Sequence, residues 1–200
     1  MRGPVDRLTT RLPRSWQITI DWVVTIVGAV AIVLAVKAWV VNPYRIPSAS
    51  MEPTLHCARP VPDCGERFSD RVLADRLSYH FRDPARGDIV VFDTPLAAQQ
   101  RCFAGGTYVK RIVGMPGERV EERLGVIFID GRRLQESYVD PTARGSRSFG
   151  PQTIPPRQYF MMGDNRSASC DSREWGPLDR DSIVGKVRAV YWPPDRVGFR

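Results

Sequence analysis

NPYRIPSASMEPTL, residues Asn42–Leu55, is the stretch around which the sequence is organised. It follows a long apolar run and places Ser50 between two prolines, Pro47 and Pro53. Each proline fixes its own φ, removes an amide donor and pushes the preceding residue toward extended backbone. We therefore expect Ser50 on a stiff, irregular segment, although a polar linker beside a membrane fits the same residues.

The apolar run before it, Trp22–Val41, contains one charge, Lys37. As a helix rising about 1.5 Å per residue, the run would be roughly 30 Å long, the thickness of the hydrocarbon core of a bilayer. Lys37 lies near one end and can snorkel to the headgroups, while Trp22 and Trp39 suit the two interfaces. The run is apolar all round, which disfavours a core helix, and too long for a cleaved signal peptide. We predict an uncleaved anchor over residues 18–41.

The residues before the anchor predict its orientation. The tail, residues 1–17, contains one acidic residue and four arginines: Asp6, and Arg2, Arg7, Arg11 and Arg14. Positive charge is retained on the cytoplasmic side of membranes. We therefore expect a cytoplasmic tail (1–17), a single-pass anchor in the cytoplasmic membrane (18–41) and an extracytoplasmic catalytic domain (42–200).

The net charge of +7 comes with scattered arginines, without a dense basic run or a known nucleic-acid module. Nucleic acid is therefore not an expected partner, and the anionic surface of a lipid bilayer is a simpler one.

The four cysteines, Cys57, Cys64, Cys102 and Cys170, would lie in a compartment that permits disulfides. Three full pairings are possible and the sequence does not choose among them, although Cys57 and Cys64 are close enough for a local bridge. Zinc is the rival interpretation, but there is no C-x-x-C pair and the two histidines are far apart. We expect no metal and no cofactor.

Short branched and aromatic runs separated by turn residues predict a mainly antiparallel β domain after the anchor. The predicted strands are Asp88–Phe92, Tyr108–Val113, Tyr159–Met162 and Ile183–Trp192, with a hairpin over Val126–Leu134. Asp130-Gly131 suits a type I′ turn in that hairpin. Gln99–Gly106 and Asp140–Pro156 are predicted as surface loops.

Four segments stand out together: Ile46–Leu55, Arg86–Phe92 (RGDIVVF), Tyr108–Val120 (YVKRIVGMPGERV) and Gly163–Gly176 (GDNRSASCDSREWG). Their order and spacing closely resemble the bacterial type I signal peptidases, membrane-bound serine proteases that remove signal peptides from exported proteins. The resemblance covers most of the chain, and it implies the signal-peptidase-type antiparallel β fold with one N-terminal transmembrane helix. The RGD of the second segment is also an adhesion tripeptide, but here we expect it to open a strand.

The resemblance implies a role for each matching residue. Ser50 matches the nucleophile, Lys110 its general base, and Ser48 a side chain of the oxyanion hole. A second set matches the polar groups that support the site: Ser169, Asp164, Asp171 and Arg173. A third set matches the substrate pockets: Tyr44, Ile46, Pro47, Met51, Leu55, Tyr108 and Val109. The short interval between Lys110 and Gly163 implies that the second domain of some members is reduced to a hairpin and a loop.

The physical chemistry of lysine agrees with this assignment and does not require it. A serine needs a base, and neither His56 nor His80 lies in the four segments. A lysine with a pKa near 10.4 must fall to roughly 7–8 to act near neutral pH, and burial can supply that shift. Alternation along the strand places Lys110 and Tyr108 on one face. A lone lysine of this kind is usually exposed, and the two aspartates with Arg173 could form a plain surface ion-pair set.

The resemblance also implies the partners. They are preprotein signal peptides with small residues before the cut, bound as an extended strand, and the protein export machinery is a further candidate. Eight residues separate Val41 from Ser50, so the nucleophile can lie no more than roughly 30 Å from the end of the anchor. Two rival interpretations stay open. One is a self-cleaving repressor peptidase with the same dyad, and the other is a non-catalytic anchored β domain that binds export or envelope partners.

Overall fold

The computed structural model describes residues 13–39, 41–103 and 105–200, without the side chains of 35–39. The chain divides into two compact units, Met1–Val41 and Asn42–Arg200. Several residues on which the predicted orientation and anchoring depend lie outside the described residues: Arg2, Asp6, Arg7, Arg11, and the side chains of Lys37 and Trp39.

The first unit contains one long helix, α1, which spans Arg14–Trp39. Its 26 residues correspond to about 39 Å at 1.5 Å per residue. Large apolar side chains along it, such as Trp22 and Val33, are more than half exposed. The segment Arg14–Leu34 is long and apolar enough to cross a membrane, with a mean hydropathy of 2.0. The helix begins earlier than residue 18 because the polar residues that precede the apolar run also adopt helical backbone.

The second unit contains two β-sheets. Their strands are, in chain order, β1 Val41–Arg45, β2 Arg71–Asp75, β3 Ile89–Asp93, β4 Thr107–Gly114, β5 Arg119–Arg123, β6 Val126–Ile129, β7 Arg132–Arg133, β8 Phe149–Thr153, β9 Gln158–Met162, β10 Leu178–Asp179, β11 Ile183–Trp192 and β12 Gly198–Phe199. The larger sheet has the order β1-β2-β11-β3-β4-β9-β10, with β12 paired to β11. The smaller sheet has the order β7-β6-β5-β8. Every pair whose register is described is antiparallel, so the predicted fold class is confirmed.

The hairpin predicted from Asp130-Gly131 is confirmed. Strands β6 and β7 pair with Ile129 opposite Arg132. Asp130 and Gly131 have φ values of 49° and 76°, and a type I′ turn requires positive φ at both of its central residues.

Two loop predictions were wrong in part. Helix α2, Leu96–Cys102, occupies the first half of the predicted loop Gln99–Gly106. Within Asp140–Pro156, strand β8 pairs with β5. The interval between Lys110 and Gly163 thus holds a four-stranded sheet rather than a hairpin and a loop. The proline and glycine inside β8 hid it, since β8 is an edge strand and tolerates both.

The core around the sheets positions the proline-flanked segment. Ile46, Met51 and Leu55 are buried in one cluster with side chains of β2, β3 and β11. Burying an apolar side chain of this size stabilises the fold by about 1.5–3 kcal/mol. The segment that carries Ser50 is therefore held against the larger sheet by apolar packing, although residues 46–55 themselves form no strand.

Candidate active site

Ser50 lies in a short 3-10 helix, Ala49–Met51. Both of its neighbours are buried, and Ser50 itself is 7% exposed. The Ile46 amide, at the start of the segment, donates to the Asp70 carbonyl at 2.9 Å. Burial and this hydrogen bond hold the serine on a fixed irregular segment, as the prolines around it predict.

Lys110 lies within β4, opposite Val90 of β3. Its side chain is buried, and Nζ donates to the Oγ of Ser50 at 2.5 Å. The hydroxyl of Ser48 lies 3.3 Å from the same Oγ. Nζ also lies 5.5 Å from the centre of the Tyr108 ring. The structure thus brings together three residues that are separated by up to 62 positions and places Tyr108 on the same face of the strand as Lys110.

Burial lowers the pKa of the Lys110 ammonium from 10.5 to about 8. The carboxylates of Asp171 and Asp164 act in the opposite direction, and the charge of Arg173 adds to the effect of burial. A substantial fraction of Lys110 is therefore a neutral amine near pH 8. A neutral amine at hydrogen-bond distance from a hydroxyl can accept its proton and activate it as a nucleophile.

Gly163 brings the fourth segment against Ser50. A Cβ at position 163 would lie 2.4 Å from the Ser50 carbonyl oxygen and 2.3 Å from the Ser169 hydroxyl, so no side chain fits there. The backbone amide of Asn165 donates to the same Ser50 carbonyl at 3.2 Å. The fourth segment therefore packs against the backbone carbonyl of the serine and hydrogen-bonds to it.

Asp164 is completely buried and is bound to Arg111, the residue after Lys110. Its two carboxylate oxygens accept hydrogen bonds from Nε and Nη2 of Arg111 at 2.8 and 2.6 Å. The hydroxyl of Thr54 donates to the same carboxylate at 2.5 Å. Asp164 thus joins the first, third and fourth segments, and the surface ion-pair interpretation of this residue is wrong.

Asp171 and Arg173 form a second buried ion pair, at 2.8 Å between Oδ1 and Nε. Burial opposes ionisation of Asp171, but the hydrogen bonds and charge of Arg173 outweigh it and hold the pKa of this carboxyl below its usual value. Asp171 also accepts from the Gly163 amide at 3.1 Å. Ser169 is buried nearby, and its hydroxyl makes no hydrogen bond of normal geometry within the described residues. The supporting role that the resemblance implies for Ser169 stays a prediction.

A cavity of about 340 Å³ opens beside Ser50 and Lys110. Six of the seven residues predicted for the pockets line it: Tyr44, Ile46, Pro47, Met51, Tyr108 and Val109. Leu55 does not line this cavity and is completely buried in the core, so the structure does not place it with the other pocket residues. The pattern of apolar residues could not separate it from the others, because core and pocket walls use the same side chains.

Six further residues line the cavity, and the sequence analysis did not assign them to the substrate pockets: Arg45, Cys102, Gly105, Thr107, Ala168 and Cys170. Cys102 and Cys170 form a disulfide with a Cα–Cα distance of 6.1 Å. This bond ties helix α2 to the fourth segment. Cys57 and Cys64 form the local bridge, with a Cα–Cα distance of 5.1 Å.

No group of three or more His, Cys, Asp or Glu side chains that could hold a metal ion occurs among the described residues. The site therefore consists of one serine hydroxyl, one buried amine, a neighbouring hydroxyl and two buried carboxylate–guanidinium pairs beside a cavity. This arrangement can carry out acyl transfer by a nucleophilic serine.

Residues 19–192 match the family described as "Signal peptidase, peptidase S26". The chain is 36% identical over 175 residues to "Probable signal peptidase I-2" of Synechocystis, covering 88% of this chain and 74% of that protein. It is 33% identical over 187 residues to signal peptidase I of Leptolyngbya laminosa, covering 93% and 86%. A solved signal peptidase I from Enterococcus faecalis is 31% identical, with a TM-score of 0.44, over 52% of this chain and 97% of that one.

Proposed function

This chain belongs to the signal peptidase family, peptidase S26, and from that premise we propose that it removes signal peptides from exported preproteins as a membrane-bound serine endopeptidase. The family and peptidase class predicted from the four segments are confirmed. The dyad, the substrate and the membrane are the parts that we propose.

The observation that carries the proposal is the 2.5 Å contact between Nζ of Lys110 and Oγ of Ser50. The amine is buried and has a pKa of about 8. An exposed lysine would stay cationic near pH 8 and could not accept a proton there. Burial therefore supplies the base that a histidine supplies in other serine proteases.

We assign the steps as follows. Lys110 takes the hydroxyl proton as Oγ of Ser50 attacks the scissile carbonyl carbon. The Ser48 hydroxyl and the Ser50 amide stabilise the oxyanion of the tetrahedral intermediate. The lysine ammonium then gives its proton to the leaving amine, which departs and leaves an acyl-enzyme. Lys110 next deprotonates a water molecule, whose oxygen attacks the ester carbon. The bond between Oγ of Ser50 and that carbon then breaks, Oγ takes the proton back from Lys110, and the signal peptide leaves with a new carboxyl group.

The cavity supports the proposed substrate class. Small residues before the cut would fit against its apolar walls, and larger side chains would clash with them. The substrate backbone would lie extended along the cavity, as strand addition requires. Further polar contacts could come from Arg45 and Thr107, which also line it.

The lipid bilayer is the second proposed partner. Helix α1 has the length and hydropathy for a membrane span, and the basic residues before it favour a cytoplasmic N-terminus. We propose a cytoplasmic tail over residues 1–17, an anchor over 18–41 and an extracytoplasmic catalytic domain over 42–200. The export machinery, which delivers preproteins to this side, is a further proposed partner.

The proposed function is tested by incubating the detergent-solubilised full-length chain with an intact preprotein and measuring the mass of both products. We expect two fragments from a single cut directly after small residues. Cleavage of its own chain alone would favour the self-cleaving repressor peptidases. Absence of both cleavage and Ser50 labelling by a reactive lactam would favour a non-catalytic domain.

The pH dependence of cleavage is predicted from the pKa of Lys110. The active form of the free enzyme has a neutral amine, so kcat/KM for a peptide substrate should rise with pH and level off above about 8. Rates measured from pH 5 to pH 10 would check this. A profile that rises near pH 6, as expected for a histidine base, would contradict the assignment of Lys110.

A further inference from the structure

Glu122 is a buried carboxylate to which the proposed mechanism assigns no role. It lies on β5 of the smaller sheet, opposite Ile127 of β6, and is 1% exposed. Neither of its carboxylate oxygens has a hydrogen-bond partner within the described residues. Burial raises the pKa of this carboxyl above its usual value, and the charge of Arg173 opposes the effect. A buried acid without hydrogen bonds is costly to the fold, so its presence calls for an explanation.

Arg173 connects Glu122 to the active site. Its Nη1 lies 3.5 Å from Oε1 of Glu122 and has no hydrogen bond of its own in the described part of the chain. Another edge of the guanidinium donates to both carboxylate oxygens of Asp171, from Nε at 2.8 Å and from Nη2 at 2.9 Å. The guanidinium is therefore held between two carboxylates, one from β5 of the smaller sheet and one from the fourth segment.

Asp171 carries the connection to the reacting groups. It accepts the amide of Gly163, whose backbone packs against the Ser50 carbonyl. Its charge also acts on the amine of Lys110. A displacement of Arg173 would therefore change both the backbone behind the nucleophile and the electric field at the base.

The other charged groups near Glu122 are already engaged. Arg166 is bound to the buried carboxylate of Glu136. Arg147 is paired with Glu174 at 2.5 Å. Arg173 is thus the cation through which Glu122 can act on the site.

We propose that Glu122 is a positioning residue for the dyad, which acts by holding Arg173 against Asp171. This inference rests on the proposed function. The smaller sheet thereby contributes a charged group to the polar cluster that supports Ser50 and Lys110. Glu122 does not touch the substrate or the reacting atoms.

The inference predicts a shift in the pH profile of Glu122→Gln. Removing the negative charge leaves the positive charge of Arg173 less compensated, which disfavours the ammonium form of Lys110. The acid limb of kcat/KM should therefore move to lower pH, by about 0.5 unit. We also expect kcat to fall severalfold with KM unchanged, because the base and nucleophile are less well oriented.

Two variants serve as controls. Glu121→Gln makes the same change at the preceding position, where the carboxylate is paired with Arg123, and should leave the profile at the wild-type position. Glu122→Asp keeps the charge, so its acid limb should stay close to that of the wild type while kcat is reduced. Tm is measured for each variant, because a residue with only a structural role would change Tm and not the limb.

The outcomes separate the two proposals. A wild-type profile without a limb near pH 8 would contradict Lys110 as the base, which is a failure of the proposed function. A normal wild-type limb that is identical in Glu122→Gln would overturn only the positioning role. If Glu122→Gln does not fold, an unchanged kcat in Glu122→Asp overturns the inference instead.

Discussion

Lys110→Met is expected to lower kcat by about four orders of magnitude or more while leaving the domain folded. Methionine has nearly the shape of lysine but cannot accept a proton. The Ser50 hydroxyl, 2.5 Å from Nζ in the wild type, would then lack a base. Ser50→Ala should cause a similar loss, and the double variant should be little worse than either, because the two groups act as one unit.

The same variant should be at least as stable as the wild type. The folded pKa of Lys110, about 8, lies below its ordinary value of 10.5. Burying the Lys110 ammonium therefore destabilises the folded state by its full amount below pH 8. This free-energy cost decreases between pH 8 and 10.5 and is absent above pH 10.5. Removing the amine should increase the free energy of unfolding at pH 7 by up to about 3 kcal/mol.

Lys186→Met is the matched control. Lys186 is paired with Asp88 at 2.5 Å, so the same substitution there breaks an ion pair and should lower stability while cleavage continues. Peptide cleavage and urea unfolding of both variants would check the pair of predictions. Substantial cleavage by Lys110→Met would contradict the assignment of Ser50 and Lys110 as a catalytic dyad.

Asp164→Ala is expected to destabilise the catalytic domain by about 3–5 kcal/mol. Asp164 is fully buried and accepts hydrogen bonds from Arg111 and Thr54. Its removal leaves the guanidinium of Arg111, which is 11% exposed, without its carboxylate. The cost is dominated by this uncompensated charge rather than by the lost contacts.

Asp181→Ala is the corresponding surface control. Its partner is Arg157, and both side chains are more than two-thirds exposed, so the change should cost about 1 kcal/mol or less. Urea midpoints of the two variants would compare them. Equal midpoints would show that the buried pair contributes no more than an exposed one. If the alanine variant does not fold, the urea midpoint of Asp164→Asn, which keeps the shape of the side chain, is measured instead.

The sequence was sufficient to predict the β fold and the family, since both depend on local patterns. The sequence also marks Ser50, Lys110, Asp171 and Arg173 as candidate site residues, because their segments carry the motifs on which the family resemblance rests. The structure brings these residues together as expected. Whether each performs its predicted role is for the variants above to decide.

Residues that depend on tertiary packing were harder to predict. Glu122 stands in the highly charged run GERVEERL, a pattern typical of a solvated strand, yet it is buried and lies 3.5 Å from Arg173 of the fourth segment. Leu55 was expected in a pocket, yet the larger sheet encloses it completely. The Cys102–Cys170 bridge joins residues 68 positions apart, a proximity that no spacing rule indicates.

The strand order determines when the larger sheet can be completed during synthesis. Strand β11, near the end of the chain, lies between β2 and β3 and pairs with both. On the ribosome, β3, β4, β9 and β10 can pair with one another before β11 has emerged, but β2 cannot join them, because β11 lies between β2 and β3. Non-local pairing of this kind is slow and comes late. We therefore expect a nascent chain to complete the larger sheet, and the core in which Ile46 and Met51 are buried, only once its last long strand has emerged.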